Sequence, residues 1–213
     1  MTIDYAYYLL ADEQACAPLP LIDAVQRVLN DSISCVQLRM KNQCRKKIMD
    51  TSKSLFDLLQ TWNIPLIIND HADIAHAIGA AGVHLGQTDC PYPEVRQRLG
   101  YNKIIGLTIE NSQQAQQCRH YDCDYFGVGP IFSTVTKKFS TPPLGIAQLS
   151  QIISILNARV VAIGGITLKN SQSVFDTGVA GIAVASAIFQ APDPAKLSQK
   201  FAQIISKNCY AQS

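Results

Sequence analysis

The feature that most restricts the fold is an alternation repeated eight times: a short, almost wholly apolar run, then a segment with apolar residues at helical spacing. The apolar runs are Tyr5–Leu10, Cys35–Met40, Pro65–Asn69, Val83–Leu85, Ile104–Ile109, one opening at Tyr125, Arg159–Ile163 and Ile182–Ala185. Helical spacing follows each of them, at Leu19–Leu29, Ile48–Trp62, Ala72–Ile78, Tyr92–Leu99, Ser112–Arg119, Leu149–Leu156, Ser171–Phe175 and Pro194–Ile205. Strands that are apolar on both sides need cover on both faces, which a parallel sheet wrapped by helices provides. Eight such units predict an α/β fold closed as a single (β/α)8 TIM barrel, and 213 residues suit one domain of that kind. The alternative, an open doubly wound sheet, is disfavoured because no G-x-G-x-x-G follows the first run. No linker or low-complexity tract divides residues 1–213.

Charge and cysteine usage narrow the class. The net charge is +2, and the one basic cluster, Arg45, Lys46 and Lys47, opens a helix and reads as a solvated face. A nucleic-acid partner is not expected, while this charge balance leaves room for a small anionic ligand. Seven scattered cysteines without a C-x-x-C pair argue for reduced thiols in a cytoplasmic protein rather than a disulfide framework or a zinc site. The chain shows no export signal and no apolar stretch near the roughly 18 residues of a membrane span.

In a barrel the polar residues at the carboxyl ends of the strands converge on one face. The run Tyr125-Phe126-Gly127-Val128-Gly129-Pro130 delivers such an end to a loop of hydroxyls and cations, Ser133 to Lys138, whose bland alternative is an ordinary solvated loop. On the second strand Gln37, Arg39 and Lys41 alternate with Val36, Leu38 and Met40, so the polar three share a side. Two cations and an amide aimed together suit a phosphate or diphosphate; a paired cation inside the barrel is the alternative. Asn69-Asp70 ends the third strand and Asp89 follows the fourth. Carboxylates beside an anion site read best as Mg²⁺ ligands, although Asp70 also stands where a helix N-cap would. His84 lies within an apolar strand and is left without a role. Gly164-Gly165 after the seventh strand and Ser186 after the eighth mark a second anion site, where glycine admits close backbone approach or simply meets a steric need of the turn.

Two anion sites, a divalent metal and a Thr/Lys loop fit the joining of two phosphorylated molecules with diphosphate as leaving group. Tyr7–Leu9 with Ala11-Asp12, Val36–Lys41, Asn69-Asp70, Gly82–Asp89, Gly127–Lys137, Ala162–Ile166 and Ala183–Ile188 resemble, in order, the motifs of the thiamine-phosphate synthase family. The resemblance implies a Mg²⁺-dependent transferase that condenses hydroxymethylpyrimidine diphosphate with thiazole phosphate, the pyrimidine C–O bond breaking before the thiazole nitrogen attacks. It further implies that Gln37, Arg39, Lys41 and Asn69 hold the pyrimidine diphosphate and that Asp70 and Asp89 bind the metal. Thr108 and Lys137 would contact the departing diphosphate, with Lys137, Arg39 and Thr108 catalytic. Thr134, Thr136, Gly164, Gly165 and Ser186 would bind the thiazole phosphate.

Some positions depart from the family's usual pattern: Thr108 replaces Ser, Glu110 replaces a frequent His, His71 replaces Arg, and Phe139 stands where a polar residue is usual. The related thiazole tautomerase would be expected to place a catalytic His at position 110, so Glu110 argues against that isomerase. A silent barrel binding thiamine precursors as a sensor would have no use for the metal and diphosphate residues.

Overall fold

A computed structural model describes residues 3–134 and 142–210, leaving aside the side chains of Cys209 and Tyr210. Eight parallel strands close in sequence order: β1 (Tyr7–Asp12), β2 (Cys35–Arg39), β3 (Leu66–Asn69), β4 (Gly82–Leu85), β5 (Ile104–Ile109), β6 (Tyr125–Val128), β7 (Val160–Ile163) and β8 (Gly181–Val184), with β8 pairing back on β1. The expected (β/α)8 barrel is what the chain forms. The outer helices are α1 (Glu13–Cys16), α2 (Leu21–Val28), α3 (Arg45–Gln60), α4 (Ala72–Ala77), α5 (Tyr92–Leu99), α6 (Ser112–Cys118), α7 (Gly145–Leu156), α8 (Ser171–Phe175), α9 (Ser186–Phe189) and α10 (Pro194–Tyr210).

The alternation of each strand divides the apolar residues between two clusters. Outward residues such as Leu9, Leu38, Ile68, Val83, Leu107, Val128 and Ile182 meet the helices in the large core. Inward residues Tyr8, Cys35, Ile67, Tyr125, Val161 and Ala183 fill the lower barrel. Space there is tight: a Cβ on Gly106 would lie 2.2 Å from Cζ of Tyr125, so only glycine at that inward position of β5 admits the ring.

Two helices were not foreseen. The first strand does not stop at Leu10; it runs to Asp12, whose carboxylate accepts the Gln14 and Ala15 N–H groups at 3.0 Å and starts α1. After β8, the four-residue α9 begins at Ser186. Both pieces are too short to show helical periodicity in sequence. The basic cluster is exposed, but two of its members are paired, Arg45 with Asp73 and Lys47 with Glu13.

At the amino ends of the strands, Arg96 of α5 is buried and uses its whole guanidinium. It donates to the carbonyls of Gly100 (2.9 Å), Lys103 (2.8 Å) and Asp122 (3.1 Å), to Tyr92 Oη (3.1 Å) and to Asp124 Oδ2 (2.7 Å). Asp124 also accepts the N–H of Ile105 at 2.8 Å, so one ion pair ties α5 to the starts of β5 and β6. Arg96→Ala strands these acceptors and leaves Asp124 without its cation. We expect a loss of about 3–5 kcal/mol in urea unfolding, and little recovery from Arg96→Lys because an ammonium cannot reproduce the planar fork.

Candidate active site

The carboxyl ends of the strands surround a cavity of about 620 Å³. Of the residues anticipated from sequence, Gln37, Arg39, Lys41, Asn69, Asp70, Asp89, Thr108, Thr134, Gly164, Gly165 and Ser186 all line it. Thr136 and Lys137, like Lys138 and Phe139, lie outside the described residues.

One wall carries the charge. Arg39 at the end of β2 pairs with Asp12 at the end of β1, and the aspartate is fully buried. Lys41 Nζ lies 2.5 Å from Asp70 Oδ2. Asp70 holds a left-handed backbone (φ 64°), and His71, not Asp70, occupies the cap position of α4, so the N-cap reading of Asp70 does not hold. Its carboxyl turns instead toward Lys41 and Asp89. Asp89 in turn accepts the Gly86 N–H at 2.7 Å.

The two carboxyls titrate together. Burial, and then the hydrogen bond shared with Asp89, hold Asp70 above the ordinary carboxylate range despite Lys41. Burial also opposes charge on Asp89, but the hydrogen bonds from Asp70 and from the Gly86 N–H outweigh it and hold this carboxyl below that range. Of the two, Asp70 is therefore the carboxyl that takes up a proton first as pH falls. Among the described residues no group of three or more His, Cys, Asp or Glu is placed to hold a metal. The donor set still fits Mg²⁺, which takes one or two carboxylates and completes its shell with water and phosphate oxygens.

The opposite wall is backbone. Gly164 (φ 99°) and Gly165 (φ 65°) turn the chain out of β7. A Cβ on Gly165 would lie 2.4 Å from the Ser133 carbonyl oxygen, so the loop after β7 packs directly on the loop after β6. The steric requirement for glycine is therefore met here, and it also leaves the cavity wall open for a ligand.

The floor is a polar chain that sequence reasoning did not assemble. Gln37 Nε2 donates to Tyr8 Oη at 2.8 Å, and Tyr8 Oη lies 2.7 Å from Tyr125 Oη. Tyr125 Oη lies 2.8 Å from Nδ1 of His84, whose Nε2 is 2.8 Å from Thr108 Oγ1. Gln87 adds a donor to the Thr108 carbonyl at 2.5 Å. Tyr8 and Tyr125 sit inside runs that look simply apolar, so their hydroxyls gave no signal. Asp12 enters the sequence reading only within a motif; in the barrel it stands directly opposite Arg39 on the paired strand.

A family model described as thiamine monophosphate synthase matches residues 7–188. The chain belongs to the thiamine monophosphate synthase family. It is 38% identical to the thiamine-phosphate synthase of Clostridium novyi (strain NT) across 96% of this chain and 100% of that one. It is 37% identical to that of Syntrophomonas wolfei, covering 96% and 98% of the two chains. Among solved structures, a thiamine phosphate pyrophosphorylase from Pyrococcus furiosus superposes with TM-score 0.86 at 28% identity, over 97% of this chain and 98% of that one. A 3-hexulose-6-phosphate synthase (TM-score 0.70, 13% identity) shares the barrel fold. The residues anticipated from sequence that line the cavity come from the ends of β2, β3 and β5 and from the segments after β2, β3, β4, β6, β7 and β8.

Proposed function

We infer that this chain is a thiamine-phosphate synthase, a transferase of thiamine biosynthesis that condenses hydroxymethylpyrimidine diphosphate with thiazole phosphate to give thiamine phosphate and diphosphate. The observation that carries the reading is the division of one cavity into a wall with Arg39, Lys41, Asp70 and Asp89 and a facing wall with Gly164, Gly165 and Ser186. Its volume of about 620 Å³ is within the usual range for small-ligand sites and leaves room for two small heterocycles.

In the mechanism we propose, Gln37 and Asn69 orient the pyrimidine diphosphate while Arg39 and Lys41 neutralise its phosphates. Asp70 and Asp89 would hold Mg²⁺, which when bound offsets the charge gathering on the leaving diphosphate. Thr108 and Lys137 stabilise the same group as the C–O bond breaks and the electron pair leaves with it. Gly164, Gly165, Ser186, Thr134 and Thr136 anchor the thiazole phosphate and aim the ring nitrogen at the pyrimidine methylene carbon, where the new C–N bond forms. Positioning two reactants this way replaces a bimolecular encounter and accounts for a large part of such a rate enhancement. No covalent nucleophile is needed, so the cysteines have no part in the reaction. The six described cysteines are unbridged, which supports a cytoplasmic setting. No described helix is long and apolar enough to cross a membrane.

The reading is tested by diphosphate release from purified protein, omitting each precursor and Mg²⁺ in turn. Release that requires both precursors, with thiamine phosphate formed in step, supports it; release from one precursor alone, or none, overturns it. The coupled carboxyls add a pH dependence. Asp70 must lose its proton to coordinate, and since its pKa is raised the proton competes with the metal as pH falls through that range. Mg²⁺ affinity should therefore be lower at about pH 5 than at about pH 8, with net proton release on binding measurable by calorimetry in buffers of different ionisation heat. Asp70→Asn should remove the proton release.

A further inference from the structure

The chain across the barrel floor has a direction. An amide nitrogen only donates, so the Tyr8 hydroxyl accepts from Gln37 at 2.8 Å, and among the described residues Tyr125 Oη, 2.7 Å away, is the one acceptor in reach of the proton of Tyr8. Tyr125 then donates to Nδ1 of His84. An imidazole that accepts at Nδ1 carries its proton on Nε2, and this nitrogen faces Thr108 Oγ1 at 2.8 Å. Thr108 accepts from the ring, which turns its own hydroxyl proton toward the cavity.

We propose that Tyr125 and Tyr8 are positioning residues which fix His84 as the Nε2–H tautomer and thereby make the Thr108 hydroxyl a committed donor to the substrate's diphosphate. The identity of that acceptor rests on the synthase reading above; the polarity of the chain does not. Diphosphate oxygens only accept. With the chain reversed, Thr108 would give its proton to His84 and present lone pairs to an anion, converting a charge-assisted bond into repulsion.

Two features support a built device. Tyr8, Tyr125 and Gln37 are 2%, 1% and 5% exposed, and burying three such groups is costly unless every one is satisfied. The rings are also held at fixed depth by missing side chains: a Cβ on Gly106 would lie 2.2 Å from Tyr125 Cζ, and one on Gly127 2.8 Å from His84 Cε1. The five linked side chains come from β2, β1, β6, β4 and β5, so a purely structural pin would have simpler apolar substitutes.

The direct test is two-bond ¹H–¹⁵N correlation on histidine-labelled full-length protein, with the His84 signals assigned by their loss in His84→Gln. A protonated Nε2 and an unprotonated Nδ1 are expected; the Nδ1–H tautomer overturns the proposal. Kinetically, Tyr125→Phe should lower kcat about tenfold, the scale of one weakened bond to a charged group, with KM for the thiazole phosphate little changed. In a Thr108→Ala background the same change should have no further effect, because Tyr125 acts through Thr108. Additive losses, or an unchanged kcat in Tyr125→Phe, overturn the role. Tyr8→Phe gives the same test should Tyr125→Phe fold poorly. Tyr5→Phe, whose ring stacks on Tyr125 at 4.7 Å but whose hydroxyl is outside the chain of bonds, should leave tautomer and kcat as they were. If the wild-type protein releases no diphosphate the synthase reading fails, and the tautomer alone then decides the relay.

Discussion

Asp89→Ala is expected to lower kcat/KM at least about a thousandfold, a loss that saturating Mg²⁺ does not restore. The aspartate is half-buried, and among the described residues its side chain bonds to the Gly86 N–H and to Asp70, both at the rim of the cavity, so the barrel should survive its removal. What disappears is the pairing of carboxyls. Asp70 is left with Lys41 alone, a simple ion pair in which neither partner has reason to yield to a cation. Circular dichroism and the melting temperature should match the parent while diphosphate release collapses. Activity within tenfold of the parent would remove Asp89 from the proposed Mg²⁺ site.

Asp12→Ala, which removes a carboxylate buried behind the cavity-lining Arg39, should have a large effect on the fold. Its carboxylate performs two tasks, capping α1 through Gln14 and Ala15 and neutralising Arg39, and it is wholly buried while doing so. Arg39 is left without its partner, but its side chain is 14% exposed and borders the cavity, where water reaches it, so the loss is about 1–3 kcal/mol, with about 1 more for the cap. For a chain of this size that corresponds to a fall in Tm of roughly 5–10 °C. Asp12→Asn separates the tasks, since an amide oxygen still caps the helix but no longer balances the guanidinium. Removing the orphaned charge as well, with Asp12→Ala and Arg39→Met together, should return much of the stability and none of the activity. A double variant that regained turnover would show that Arg39 does not bind the diphosphate.

The strands were legible because each is apolar on both faces, and the carboxyl-end convergence of Gln37, Arg39, Asn69, Asp70 and Thr108 followed from closure of the barrel. What periodicity cannot convey is which polar atoms meet after closure. Asp12 and Arg39 are 27 residues apart, and Tyr8 and Tyr125 are 117 apart. Their partnerships exist only in register across strands, and a tyrosine in an apolar run hides its hydroxyl from any reading based on hydropathy. The short α1 and α9 were missed for a related reason: each is a capped turn set by one polar residue or by the exit from a strand. Residues 136 and 137 lie outside the described residues, and their roles rest on the family resemblance.

Arg96 and its five acceptors lie at the end of the barrel opposite the cavity. The molecule thus keeps part of its mutational tolerance in one place and its substrate selectivity in another. Variation in the loops around positions 110 and 133 draws on a reserve it does not touch, and a laboratory library aimed at new heterocyclic substrates is best begun in a background with the α5–β5–β6 end reinforced.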